Sequence, residues 1–260
     1  MLVAGSSVFP YYPYIPGPAL PEGATLVAIT NDPDEAARAP MGDALVADVR
    51  LTLEALVEAV GESDRPPPEP LGAPPPPEDG DPLDPGAVHS TLADVLPDDG
   101  IVVLESPTST MALRNRMRVS RPGSYYFGAG GGLGFGLAAA IGVQLAQPDR
   151  RVVCVLGEGS AQYAITGFWT AAAYKVPVTF LIIRNDEYGI LKWFAQAEQV
   201  TGAPGLDLPS LEVAMTATSY GVGARRVVGL EALRDALRTA IEADLPRLVE
   251  VSVTPGMSLF

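Results

Sequence analysis

Along most of this chain, short unbroken runs of aliphatic and β-branched residues alternate with longer stretches whose apolar residues return every three or four positions. Residues 100–106 (GIVVLES), 151–156, 177–183 and 247–253 (RLVEVSV) read as strands, and RRVVG at 225–229 as one more. Between them, 87–96, a segment around Thr108–Arg118, the glycine-led stretch 131–147, 161–174, a segment from about Gly189, and 230–243 read as helices. Strands that are apolar throughout must be covered on both faces. The pattern over 87–260 therefore predicts an α/β fold, a doubly wound parallel sheet with helices on both sides. In such sheets ligands sit at the carboxyl ends of the strands.

Residues 1–60 carry a smaller version of the same pattern. LVAGSSVF (2–9) opens as a strand, Ala24 to Thr30 forms a second, and Asp32-Pro33 starts a helix. A third strand and an amphipathic helix follow within 44–60, with Leu53, Leu56, Val57 and Val60 on one face. Two or three strands with so little cover make a poor independent domain. Residues 61–86 hold ten of the 26 prolines. Proline fixes φ and removes an amide donor, so this segment reads as a stiff extended connector. An SH3-type ligand is the alternative, and the acidic flanks speak against it.

With 260 residues, 47% of them apolar, the chain can bury a full core. A net charge of −14 disfavours nucleic acid and anionic membrane as partners. The single cysteine, Cys154, lies in an apolar run and reads as a core thiol. No segment has the pattern of a spanning helix or a signal peptide, so a soluble, cytoplasmic protein is expected.

The chemistry concentrates at two predicted strand ends. Gly157-Glu158-Gly159 closes one strand, and Asn185 closes the next, 27 positions on. The glycines permit a tight turn with close backbone approach, and Ser160 begins a helix whose amides face the turn. That is a cradle for a phosphate. Glu158 and Asn185 offer oxygen ligands only, which suits Mg2+. A carboxylate about 4 Å from a phosphate charge costs on the order of 4 kcal/mol at an effective dielectric near 20, so the two together call for a cation. The alternative is a surface turn with a solvated glutamate.

The segment resembles the signature of thiamine-diphosphate enzymes, G-D-G followed some 25–30 residues later by Asn-Asn. RPGSYYFGAGGGLGFGLAAAIGVQLAQP, GSAQYAITGFWTAAAYKVP, YGILKWFAQAEQVTGAPGLDLP and DPDEAARAPMGDALVADV are similar to benzoylformate decarboxylases in particular. The resemblance spans nearly the whole chain outside the proline-rich stretch. It implies that 87–260 is the diphosphate-binding domain, that 1–60 is a remnant of the middle domain, and that thiamine diphosphate and Mg2+ are the cofactors. Two positions depart from the pattern: Glu158 replaces the aspartate, and Arg184 replaces the first asparagine. Arg184 could pair with Glu158 and stand in for the metal.

The resemblance also implies roles. The metal would take Glu158, Asn185 and the main-chain oxygen of Glu187. Thr108, Ser109, Gly157, Gly159, Ser160, Tyr188 and Gly189 would hold the diphosphate. Leu133 would prop the cofactor in a bent form, and a backbone oxygen near Gly131 would receive its amino hydrogen. Phe127, Ile190, Leu191 and Phe194 would form the apolar wall facing the substrate. Tyr12 stands where the family has a catalytic histidine. Tyrosine is a poor proton shuttle near neutrality but can donate a hydrogen bond. The lone histidine, His89, reads as a surface residue.

Family chemistry needs a glutamate on the cofactor's pyrimidine ring, carried on an N-terminal domain for which these residues have no counterpart. The leading expectation is therefore the diphosphate-binding subunit of a split lyase, a 2-oxo acid decarboxylase or carboligase. A partner chain would carry the pyrimidine-binding domain, in a homo- or hetero-oligomer. A non-catalytic paralogue serving as scaffold or regulator is the rival, and a truncated gene product the third reading.

Overall fold

The computed structural model describes residues 1–8, 17–66, 72 and 74–257. The chain divides into two compact units, residues 1–71 and 72–260. In the first, β1 (Leu2–Ala4), β2 (Val27–Thr30) and β3 (Asp43–Val46) form a parallel sheet in that order. Helix α1 (Pro33–Arg38) starts as its sequence dictates: Asp32 accepts from the amides of Asp34 and Glu35, and proline occupies the first turn. Helix α2 (Val49–Ala59) is capped by Asp48 but has no buried residue, and Leu56, Val57 and Val60 are exposed. The buried cluster of this unit is Val8, Leu26 and Ala28.

The second unit is built on six parallel strands: β4 (Ile101–Glu105), β5 (Tyr125–Phe127), β6 (Val152–Gly157), β7 (Thr179–Arg184), β8 (Gly223–Val227) and β9 (Arg247–Ser252). Their order is β5-β4-β6-β7-β9-β8, and every neighbouring pair is parallel. Alternate residues feed two cores. Val102, Leu104, Val153, Val155, Leu181, Ile183, Val249 and Val251 face one side, under α3 (Pro85–Val95) and α10 (Leu230–Glu242). Ile101, Val103, Cys154, Leu156, Phe180 and Ile182 face the other, under α5 (Phe135–Ala146) and α7 (Gly167–Ala173). With both faces covered, the period-two alternation of a half-buried strand is absent, which is why these runs are apolar throughout. Cys154 is buried and unpaired, as expected of a core thiol. No helix among the described residues is long and apolar enough to cross a membrane.

The chain runs from β4 outward to β5 and then returns to place β6 on the other side of β4. The carboxyl ends of β4 and β6 thus flank a topological switch point, where open α/β sheets hold ligands.

Several boundaries differ from expectation. The helix around Thr108–Arg118 is a 3-10 turn, Pro107–Ser109, followed by a short α4, Thr110–Arg114. The helix over 161–174 is α6 (Glu158–Ala161), a 3-10 turn and α7. The short edge strand β5 and helix α9 (Val213–Ser219) were not anticipated. The extended connector also ends sooner than residue 86. Leu83 is 1% exposed within the core and bridges Val253 on the tail of β9, and Asp79 Oδ1 accepts from Leu230 N at 2.8 Å, at the start of α10. Proline at 82 and 85 leaves these partners free to act, because they pair through residues 79, 83 and 84.

His89 is not at the surface. Helix α3 packs between α4 and α10, so Gly86 through Leu92 are all buried, His89 completely. Neither ring nitrogen finds a partner. Burial, helped by the nearby Arg116 charge, pushes its pKa down to about 3. The folded value lies below that of the unfolded chain, about 6.5. The imidazole is therefore neutral and harmless above pH 6.5, and protonation of the unfolded chain erodes stability as pH falls from there toward 3, by up to ~1.4 kcal/mol per pH unit. His89→Leu should flatten this slope between pH 6.5 and 4.5 in urea denaturation and raise stability at pH 7 by about 1–3 kcal/mol, the cost of an unpaired buried polar group.

Candidate active site

The switch point gathers hydroxyls, glycines and two buried carboxylates, Glu105 and Glu158. After β4, Ser106 Oγ and Ser109 Oγ lie 2.8 Å apart, and both residues are buried. A side-chain carbon on Gly157 would meet Ser160 Oγ at 3.5 Å and Ser106 Oγ at 3.9 Å, so the turns after β4 and β6 face one another. Gly159 has no room for a side chain: its Cβ would fall 2.7 Å from Tyr188 Cε1 and 2.8 Å from Leu208 Cδ1. Gly189, at the start of α8 (Gly189–Ala197), presses on Thr108, whose Cγ2 would lie 2.9 Å from an added Cβ. Thr108, Ser109, Gly157, Gly159, Ser160, Tyr188 and Gly189 are thereby brought to one end of the sheet.

Glu158 is 1% exposed and opens α6, behind the extended backbone of Gly157. Its Oε1 accepts from the Asn185 amide at 3.2 Å. Burial pushes its pKa up, and hydrogen bonds from its own, Asn185 and Asp186 backbone amides oppose the rise. One terminal atom of the Asn185 side-chain amide stands 3.2 Å from Glu158 Oε1 and 2.8 Å from the Glu187 carbonyl oxygen. As the NH2 it donates to both. As the oxygen it stands 3.2 and 2.8 Å from two other oxygens, close to the ~2.9 Å edge of an octahedron with ligands at about 2.0–2.1 Å. The donor set therefore fits Mg2+, and the amide can turn to suit either state. Among the described residues no cluster of three His, Cys, Asp or Glu side chains could hold a metal. This set escapes such a count because it combines one carboxylate, one amide and one main-chain oxygen.

Arg184 does not enter the space between Glu158 and Asn185. Its Nε pairs with Asp186 Oδ1 at 2.7 Å and its guanidinium lies 3.5 Å from Glu250 Oε1. The Glu187 side chain is likewise engaged elsewhere, with Lys192 Nζ at 2.6 Å and Gly256 N at 2.9 Å. Asp186 adopts φ 57° in the turn, which is pinned by Leu208 N to Asp186 O and Tyr188 N to Leu206 O, both 2.8 Å.

Leu133, Gly131 and Phe127 line a cavity of about 170 Å³ with Leu104, Glu105 and Tyr125. Gly131 takes φ 70°, a conformation suited to glycine. Phe127 is 48% exposed and carries the Arg114 guanidinium 5.4 Å from its ring centre. Ile190, Leu191 and Phe194 belong to α8; Leu191 is exposed and the other two half-buried. Tyr12 lies outside the described residues.

Sequence reasoning missed Glu105. Its carboxylate at the end of β4 is buried and accepts from Gly134 N at 2.8 Å and from Gly136 N, so it caps α5 and ties down the glycine-rich loop carrying Gly131 and Leu133. The only signal was a carboxylate closing an apolar run. Glu105→Ala should strand two amides and cost about 1–3 kcal/mol in chemical denaturation, with faster hydrogen exchange over 128–136.

Residues 107–251 match the family described as thiamine pyrophosphate enzyme, C-terminal TPP binding domain. Over 252 residues the chain is 51% identical to benzoylformate decarboxylase of Pseudomonas aeruginosa, covering 96% of this chain and 48% of that one. A solved thiamine diphosphate-dependent 4-hydroxybenzoylformate decarboxylase of Rhodococcus jostii superimposes with a TM-score of 0.93 at 45% identity, over 99% of this chain and 49% of that one. The benzoylformate decarboxylase of Polynucleobacter necessarius gives 0.89 at 32% identity, over 100% and 50%. The chain spans about half the length of these relatives.

Proposed function

The chain belongs to the thiamine pyrophosphate enzymes, and we propose that it is the diphosphate-holding part of a thiamine-diphosphate-dependent lyase acting on 2-oxo acids of the benzoylformate class. The observation that carries this reading is the convergence of Glu158 and the Asn185 amide, with the Glu187 carbonyl beside that amide, at the carboxyl ends of β6 and β7. These three would take Mg2+, and the cation would answer both the buried carboxylate and the diphosphate. Thr108, Ser109, Ser160 and the backbone of Gly157, Gly159, Tyr188 and Gly189 would hold the diphosphate. The thiazolium, once bound, takes up the electron pair released when a 2-oxo acid loses CO2.

The chain's own side chains position and desolvate. Leu133, fixed through the loop that Glu105 anchors, would press the cofactor into its bent form, with the Gly131 carbonyl oxygen accepting the amino hydrogen. Phe127, Ile190, Leu191 and Phe194 would offer an apolar wall to an aromatic substrate. The glutamate that acts on the pyrimidine ring would come from a separate chain bearing the pyrimidine-binding domain. In this arrangement residues 1–60 are the remnant of a middle domain. The pairing of Arg184 with Asp186 and Glu250 speaks against one of the three departures, Glu158, Arg184 and Tyr12, on which the reading as a non-catalytic scaffold rests.

Calorimetric titration with thiamine diphosphate should show binding that requires Mg2+. Because burial raises the Glu158 pKa above the usual carboxylate value, protons compete with the cation sooner than at an exposed carboxylate, and Mg2+ affinity should fall as pH is lowered toward that raised pKa. Glu158→Gln should weaken Mg2+-dependent binding at least tenfold; an unchanged metal requirement would argue against this site. In steady-state assays the chain alone should not turn over benzoylformate, and adding a chain with the pyrimidine-binding domain should restore activity. Full turnover by this chain alone would refute the need for a partner.

A further inference from the structure

Arg184 follows the apolar run of β7, where resemblance to the family leads one to expect an amide. Its partners lie on two sides. Behind it is Glu250 of β9, a fully buried carboxylate. Glu250 Oε1 takes Arg226 Nη2 at 2.7 Å, Arg226 Nε at 3.0 Å and Arg184 Nη1 at 3.5 Å; Oε2 takes the amide of Ala214, in the first turn of α9, at 2.9 Å. Beside it is Asp186, whose Oδ1 lies 2.7 Å from Arg184 Nε. The guanidinium therefore spans from the interior of the sheet to the second residue of the turn, and Asn185 is the residue it straddles.

Resting on the metal-site reading above, we propose that Arg184 is a positioning residue: held by Glu250 and Asp186, it fixes the turn so that the Asn185 side-chain amide stands between Glu158 and the Glu187 carbonyl. Three features support this. The turn contains a non-glycine residue at φ 57°, a conformation that needs an external tie to persist. The tie from the Asp186 side chain runs directly to Arg184, in addition to the 206–208 segment that pins the backbone of the same turn. A planar fork of donors can engage two carboxylates at once from different nitrogens, which a lysine ammonium does less well. Arg184 is thus turned away from Glu158 and leaves that carboxylate to the cation.

Removing the guanidinium should not unfold the chain, since Glu250 keeps both hydrogen bonds from Arg226. In the full chain, Arg184→Met should raise the Mg2+ concentration for half-saturation at fixed thiamine diphosphate about tenfold. It should also speed amide hydrogen exchange over 185–188 in the absence of metal and leave the ligand-free unfolding temperature within a few degrees. Arg184→Lys should recover part of the metal affinity. Asp186→Ala, which cuts the tie on its half-exposed side, should reproduce the exchange effect even if the Met variant folds poorly. Unchanged exchange in both variants, or a lowered Mg2+ requirement in Arg184→Met, would overturn the proposal. If the unaltered chain shows no Mg2+-dependent binding while exchange still quickens in the variants, it is the metal reading that fails and the positioning role that stands.

Discussion

The carboxyl edge of the larger sheet depends on the burial of Glu158. A carboxylate taken out of water must have its charge answered, and here three backbone amides answer it only in part, so burial still drives the pKa upward. Folding has already desolvated the group, and a divalent cation placed there would recover interaction that water would otherwise have supplied. The neighbouring elements serve the same constraint. Gly157 and Gly159 let the turn close around the carboxylate, Tyr188 and Leu208 pack where a side chain on Gly159 would be, and Asn185 presents an amide that can show either its NH2 or its oxygen.

The position of that edge follows from the order of the strands. Because β6 returns to the far side of β4, the helices that follow the two strands leave for opposite faces of the sheet, Leu113 packing in one core and Phe168 in the other, and α5 with its preceding loop meets the gap between the strand ends. Glu105 makes the entry specific: it binds the first amides of α5 from below, which places Leu133 and Gly131 beside the same gap. A single carboxylate thus links a strand end to a loop nearly thirty residues on, and a second, Glu250, links β7, β8 and α9.

Much of this was legible in the sequence. Strands β4, β6, β7 and β9 announce themselves because both faces are buried, and the glycine–glutamate–glycine turn with a distant asparagine carries its own chemistry. Other features were not legible, for physical reasons. β5 is three residues at an edge, too short for any period to show, and α9 reads VAMTATS, with poor helix formers held in place by packing and by Glu250. Glu105 and Glu250 each look like an isolated acid in an apolar run, and nothing local says which amide or guanidinium will meet them. His89 was misread because a polar residue near a helix start is usually solvated, whereas α3 is covered along its length by two other helices.

The bridge between Leu83 and Val253 has a topological consequence. Leu83 N donates to Ser252 O at 3.1 Å and Thr254 N donates to Leu83 O at 2.9 Å, so the entry into the larger unit runs alongside its exit. The polypeptide of that unit is close to a closed ring. A short bridge across this seam, with new ends opened in the exposed 202–205 stretch, would give a circular permutant whose hydrogen-bonded framework is the same. Conversely, any excised fragment that begins at residue 87 forfeits the seam and the Asp79 and Asp84 caps together.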